Sequence, residues 1–98
     1  MFNNNICIIG GAGHVGAPLG LAFSSKGFNV ILVDKNSNHI KQINQSKMPF
    51  IEEGCDKLLK KMISKRKIAA TSNLNEVKRC KYIVICLGTP VNKKFNPD

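Results

Sequence analysis

Residues Ile8–Gly20 read IIGGAGHVGAPLG, with four glycines among the seven positions from Gly10 to Gly16. Glycine loses more conformational freedom on ordering than any other residue, so a chain keeps such a cluster where its backbone must turn or be approached closely. Just before it stands Ile6-Cys7-Ile8-Ile9, short, β-branched and continuously apolar. That composition predicts a strand buried on both faces of a parallel sheet. Just after it, Val15, Leu19, Ala22 and Phe23 recur at helical spacing, and Gly27 stands where a helix C-terminal glycine belongs. Strand, glycine turn and helix are therefore predicted in that order.

The pattern repeats along the chain. Phe28–Asp34 (FNVILVD) reads as a second strand, and NSNHIKQIN, opening on capping residues and carrying Ile40 and Ile43, as a second helix. Cys55, Leu58, Leu59, Met62 and Ile63 follow the i, i+3, i+4, i+7, i+8 rule of an amphipathic helix. KIAATS predicts a third strand. Asn73 to Glu76 fits a capping box ahead of Leu74 and Val77, and Tyr82–Leu87 (YIVICL) predicts a fourth, buried strand. The order β-α-β-α-α-β-α-β argues for an α/β, Rossmann-type doubly wound parallel sheet, partial, with strand order 3-2-1-4. Its domain is expected to span residues 1–98 and to stop after the fourth strand, which leaves an Ile- and Val-rich edge prone to association.

Composition narrows the function. The 98 residues allow one small domain, and 43% hydrophobic content is ordinary for a globular core. Fifteen Lys and Arg against six Asp and Glu give a net charge of +9. The densest basic run, Lys57–Lys67, is accounted for by the polar face and C-terminal end of a helix, so nucleic acid is not expected as a partner. No apolar stretch is long enough to span a bilayer, and MFNNN does not resemble a secretory leader, so a cytoplasmic location without a membrane partner is expected. Cys7, Cys55, Cys80 and Cys86 form no C-x-x-C pair, which predicts reduced thiols and no metal site.

Gly11-Ala12-Gly13-His14-Val15-Gly16 fits G-x-G-x-x-G in the context that gives the string meaning: after a strand, opening a helix, inside a β-α-β unit of about thirty residues. On this reading Gly11 makes the tight turn, Gly13 lets the backbone approach a pyrophosphate, and Gly16 lets helix and strand pack closely. The phosphates then meet free N–H groups at the helix N-terminus. Gly10 has no separate role on this reading. Asp34 ends the second strand, 23 positions after Gly11. A carboxylate there can accept both ribose hydroxyls of adenosine and repel a 2′-phosphate, which selects NAD over NADP; Lys35 beside it softens the repulsion. Gly88-Thr89-Pro90 follows the fourth strand and is expected to face the glycine loop across the crevice where the strand order turns. His14 is read through its backbone N–H, its side chain having no evident partner, and no residue is assigned a catalytic role.

With these motifs in place, the chain resembles the N-terminal domain of the UDP-glucose/GDP-mannose dehydrogenase family, the nucleotide-sugar 6-dehydrogenases. The family's opening, close to G-x-G-x-V-G-x-P-L-A, is similar to Gly11–Gly20 here, with Pro18 its most specific residue. Val33-Asp34, Thr89-Pro90 and Pro97-Asp98 fit the pattern. Pro49–Cys55 matches P-x-x-E-P-G-L in part, with Glu53 and Cys55 departing from it. The resemblance implies NAD as cofactor, held by the backbone of His14 and Val15 at the pyrophosphate, by Asp34 and Lys35 at the ribose, and by Thr89 with Gly88 toward the nicotinamide. Glu52 would shape the mouth of the site.

The resemblance further implies oxidation of the C6 alcohol of a UDP-sugar, UDP-glucose or a UDP-N-acetylhexosamine, to a uronate with two NAD, through a cysteine-bound thiohemiacetal and thioester, for polysaccharide biosynthesis. The family's catalytic cysteine, lysine and acid lie downstream of the residues matched here, so this chain is expected to bind NAD without turning over sugar. The full-length enzyme is expected to be a homo-oligomer acting on a nucleotide sugar. Two other readings share the fingerprint: a nucleotide-sensing regulatory domain of the kind found in potassium channels, and another NAD-dependent dehydrogenase such as a β-hydroxyacid type. Pro18 and Thr89-Pro90 weigh against the latter.

Overall fold

The structure is a computed structural model and describes residues 5–51 and 53–86. In chain order it contains β1 (Asn5–Ile9), α1 (Gly16–Ser25), β2 (Asn29–Val33), α2 (Ser37–Asn44), α3 (Cys55–Ser64), β3 (Ile68–Thr71), a 3-10 helix (Leu74–Arg79) and β4 (Tyr82–Ile85). The strands form one sheet in the order β3-β2-β1-β4, with every neighbouring pair parallel. Fold class and strand order are those predicted from the sequence.

Register explains where the core lies. Ile6, Val30 and Ile68 stand side by side across β1, β2 and β3, and Ile8, Leu32 and Ala70 form the next row on the same face. All six are buried, and α1, α2 and α3 contribute Ala17, Leu21, Ile40, Ile43, Leu59 and Met62 to the same cluster. Cys7, Ile31 and Ala69 form a row on the opposite face. Cys7 is fully buried, Ile31 half-buried and Ala69 exposed. Of the described elements packed on the sheet, the 3-10 helix sits over β1 and β2. Its six residues bury none of their number fully, too little for a stable α-helix, which is why the capping-box segment folds as 3-10. Asn73 does cap it, but its side chain accepts from the N–H of Asn75, while the Glu76 N–H donates to the Asn73 carbonyl.

Two expectations about packing are corrected. The inward face of α1 is Ala17, Gly20, Leu21 and Ser24, and not the larger apolar set: Val15 and Ala22 are exposed, and Leu19 and Phe23 flank the core. The helix rides so close to the sheet that a Cβ on Gly20 would stand 2.6 Å from Leu32 Cδ2 and 3.3 Å from Ile8 Cδ1. Small residues take the central line beside Leu21, and Leu19 and Phe23 are displaced to its flanks. β4 is the second correction. Tyr82 and Ile83 are 48% exposed and Ile85 62%, while Val84 alone of the strand packs on the core cluster. Among the described residues nothing pairs with its outer edge, so apolar composition alone does not bury it.

All three α-helices end in the same geometry. After α1, the Gly27 N–H donates to the Ser24 carbonyl and the Phe28 N–H to the Phe23 carbonyl, with the Phe23 and Phe28 rings in edge contact at 5.8 Å. This is the Schellman arrangement. Ser46 with Lys47 repeats it after α2, and Arg66 with Lys67 after α3. The turn residue has φ +102° at Gly27, +66° at Ser46 and +59° at Arg66. A non-glycine residue there costs about 1–2 kcal/mol, against about 0.5–1 kcal/mol of extra chain entropy for glycine. Arg66→Gly is therefore expected to stabilise the domain by about 0.5–1 kcal/mol in urea unfolding. Gly27→Ala, where a Cβ meets nothing within 4 Å, is expected to destabilise it through φ alone.

Cys7 is fully buried on β1. Burial, with the neighbouring Cys80 thiol adding to it, pushes the Cys7 thiol up to about 11 from about 9. Burial raises Cys80 as well. The fold thus favours the neutral thiol at position 7. As pH rises from about 9 to 11 the unfolded chain ionises Cys7 first, and up to about 3 kcal/mol of stability is lost across that window. Unfolding free energy measured against pH is expected to fall less steeply there in Cys7→Ala.

Candidate functional site

An open crevice of about 580 Å3 lies at the carboxyl ends of the strands. Ile9 of β1, Asp34 just after β2, Ser72 just after β3 and Cys86 just after β4 all line it, with Gly10 and Gly13 from the glycine loop. β1 sits between β2 and β4, so the crevice opens where the strand order turns, the usual ligand position in open α/β sheets.

The loop from Gly10 to Val15 is built by backbone. The N–H groups of Gly10 and Gly11 both donate to the Val33 carbonyl, at 2.8 and 3.1 Å, tying the loop to the end of β2. Gly10, and not Gly11, is the residue that turns with positive φ, at +81°. A Cβ there would collide with the Cys86 carbonyl as well. Gly11 is instead excluded from bearing a side chain by Leu32 and by the Ile8 carbonyl, at 2.7 and 2.8 Å. Gly16 sits on the loop itself: its Cβ would fall on the Gly10 carbonyl and 2.8 Å from Gly11 Cα. The close approach of helix to strand, expected at Gly16, is made at Gly20. Gly13 has only the Gly10 carbonyl near it, at 3.5 Å. Three of the loop glycines are thus required by packing, and the fourth is open toward the crevice.

Asp34 fastens the other side. One carboxylate oxygen accepts from the Ala12 N–H and the other from the Asn36 N–H, both at 3.0 Å. Its own N–H donates to the Thr71 carbonyl. An ionised carboxylate has about four acceptor positions. Two are spent on aiming the group, which leaves acceptor capacity on both oxygens. Lys35 is exposed at the crevice rim.

At the N-terminus of α1, Val15 makes no side-chain cap, and no acidic residue lies in the first turn. α2 by contrast is capped by Asn36, whose side chain accepts from the His39 N–H, and α3 has Asp56 in its first turn. Among the described residues nothing accepts from the N–H groups of His14, Val15 and Gly16. Pro18, with no N–H to satisfy, falls in the same turn. A helix end with open donors and no protein anion is a position for an external one. The residues present therefore suit a dinucleotide: an anion position at α1, an aimed carboxylate beside it, and a glycine without a side chain between them.

The sequence left His14 without a side-chain partner. The structure supplies one: its ring stacks on Phe50 with centroids 4.2 Å apart and planes at 24°. Ser72 and Leu74 also line the crevice; no motif marks Ser72, and Leu74 is legible only as an apolar residue of the capping-box segment. Gly88 and Thr89, with Pro90 and Glu52, lie outside the described residues. Among the described residues, no group of three His, Cys, Asp or Glu side chains gathers as a metal site, and no helix is long and apolar enough to cross a membrane.

Residues 4–98 match the UDP-glucose/GDP-mannose dehydrogenase family, NAD binding domain. The chain belongs to this family. It is 40% identical over 84 residues to a GDP-mannose 6-dehydrogenase of Pseudomonas savastanoi pv. phaseolicola, covering 85% of this chain and 19% of that protein. It is 33% identical over 82 residues to a UDP-N-acetyl-D-mannosamine dehydrogenase of Pyrococcus horikoshii, covering 84% and 20%. The crystal structure of a ternary complex of GDP-mannose dehydrogenase from Pseudomonas aeruginosa superposes with a TM-score of 0.84 at 36% identity, over 91% of this chain and 20% of that one. The chain thus spans about a fifth of the length of these relatives. It corresponds to their NAD-binding domain, and NAD is the cofactor of that domain.

The loop geometry separates two kinds of glycine. Gly16→Ala must displace backbone and is expected to destabilise the domain by about 1–3 kcal/mol. Gly13→Ala meets only ordinary contact and is expected to shift stability by less than about 0.5 kcal/mol. Urea unfolding of the two variants checks both.

Proposed function

We propose that this chain is the NAD-binding part of a nucleotide-sugar 6-dehydrogenase, an oxidoreductase that converts the C6 alcohol of a UDP-sugar to a uronate with two NAD. The observation that carries this reading is the Asp34 carboxylate, aimed by the Ala12 N–H of the glycine loop and placed in the crevice between the loop and β2. Bound there, NAD supplies the acceptor for the hydride leaving C6. The chain's own residues bind and orient it. The N–H groups of His14, Val15 and Gly16 hold the pyrophosphate at the α1 N-terminus, Gly13 keeps a side chain out of its way, and Gly11 lets the loop lie close on β2 beneath it. Asp34 accepts from the two ribose hydroxyls with its remaining lone pairs, and Lys35 lies beside it. Gly88 and Thr89 serve the nicotinamide side. The catalytic cysteine, lysine and acid belong to a part of the enzyme outside these residues.

The family match favours this reading over a nucleotide-sensing regulatory domain. The same reading carries a cytoplasmic location, which the free thiols of Cys7, Cys80 and Cys86 support. It also carries a homo-oligomeric enzyme, for which the exposed Tyr82, Ile83 and Ile85 of β4 offer an apolar surface.

Calorimetric titration with NAD and NADP tests the assignment. The chain is expected to bind NAD and to discriminate against NADP. Asp34→Asn is expected to weaken NAD by about ten-fold or more, the worth of a hydrogen bond to a charged group, and to narrow the gap to NADP. Equal affinity of the unsubstituted chain for both nucleotides, or turnover of a UDP-sugar by the chain alone, would overturn the reading.

A further inference from the structure

The two halves of the glycine loop are held very differently. The inner half is fastened to β2 by the Gly10 and Gly11 N–H groups on the Val33 carbonyl and by the Ala12 N–H on Asp34. The outer half, Gly13 to Val15, carries two of the three open N–H groups. There the Gly13 N–H donates to the Gly10 carbonyl at 3.3 Å, the Gly13 and Val15 carbonyls accept from the Ala17 and Leu19 N–H groups of α1, both at 3.1 Å, none of these bonds reaches the sheet, and Val15 is 66% exposed. His14 is exposed too, apart from its stack on Phe50.

Phe50 belongs to the connector between α2 and α3, residues 45–54. The connector is itself anchored: the Met48 N–H donates to Asp56 Oδ1 at 2.9 Å, the Lys47 N–H to the Gln42 carbonyl at 2.9 Å, and Met48 is buried in the core. Phe50 packs against that core cluster while meeting the His14 ring. An anchored connector thus meets the half of the loop that is not bonded to the sheet through one pair of rings.

We propose that Phe50 is a positioning residue for cofactor binding, holding the outer half of the glycine loop in place through its stack on His14. The inference rests on the NAD reading above for its consequence, though not for its geometry. A loop ordered before binding spares the ligand the cost of ordering it. Losing the stack lets His14 and Val15 fluctuate, and their N–H groups then converge on the pyrophosphate less often. Any aromatic ring at position 14 would serve, because the contact is ring on ring and uses no imidazole nitrogen.

The test uses Phe50→Leu, which keeps apolar bulk against the core and removes the ring, with His14→Ala, His14→Phe and the double variant Phe50→Leu/His14→Ala. Two quantities are measured on the whole chain: amide order parameters by NMR without ligand, and NAD affinity by calorimetry. In Phe50→Leu and in His14→Ala, the order parameters of Gly13, His14 and Val15 are expected to fall from near 0.85 toward 0.6, with β1 and β2 unchanged. NAD affinity is expected to drop roughly three- to ten-fold in each, the worth of an aromatic pair. The double variant should lose no more than either single one, and His14→Phe, which keeps a ring on Phe50, should keep the loop order parameters near 0.85. Unchanged loop order in Phe50→Leu, or losses that add in the double variant, would sink the inference whether or not NAD binds. A parent chain that fails to bind NAD while its loop order still follows the ring would sink the NAD reading and leave the stack standing.

Discussion

No side chain fits between the first turn of α1 and the loop beneath it. Gly16 lies on the backbone of Gly10 and Gly11, and one turn later Gly20 lies against Leu32 and Ile8. This contact of backbone with backbone sets the height of the helix over the sheet. It also determines which residues of α1 face inward, so that Ala17, Leu21 and Ser24 share the buried line with glycine. In most helices the largest apolar residues mark the core face. Here Leu21 is the one large residue of the buried line, and Leu19 and Phe23 pack to the side.

The same contact leaves the N-terminus of α1 open. A loop pressed this closely under the helix has its inner N–H groups turned to Val33 and to Asp34, and has nothing to offer the N–H groups of His14, Val15 and Gly16. The chain supplies its other two α-helices from within, α2 with a side-chain cap from Asn36 and α3 with the negative charge of Asp56 in the first turn. The uncapped end and the aimed carboxylate are therefore two results of one piece of packing. A dinucleotide suits both because it brings an anion and a diol at once.

The sheet is covered unevenly. Among the described residues, three α-helices lie over one face, while the other has a short 3-10 helix and a row that runs from exposed Ala69 to half-exposed Ile83. β4 pairs with β1 on one side, and its outer edge has no partner among the described residues. Its apolar residues are suited to a neighbour they do not meet here. The buried thiol of Cys7 lies in the same row, and Asn5 and Val33 are buried on the same face.

Local pattern by itself determined much of this protein. Runs of β-branched residues, helical periodicity and glycine punctuation are short-range properties, so four strands, three helices and their parallel order were legible, as was the carboxylate at the end of β2. Tertiary structure alone decided the rest. Which glycine turns and which merely makes room depends on what lies opposite, and Gly10 meets Cys86 from the far end of the chain. Whether an apolar strand is buried depends on what covers it, and Tyr82–Ile85 reads the same covered or bare. The ring pair of His14 and Phe50 joins two loops with no spacing rule between them. Each of these is a contact between residues distant in sequence, and periodicity carries no information about such contacts.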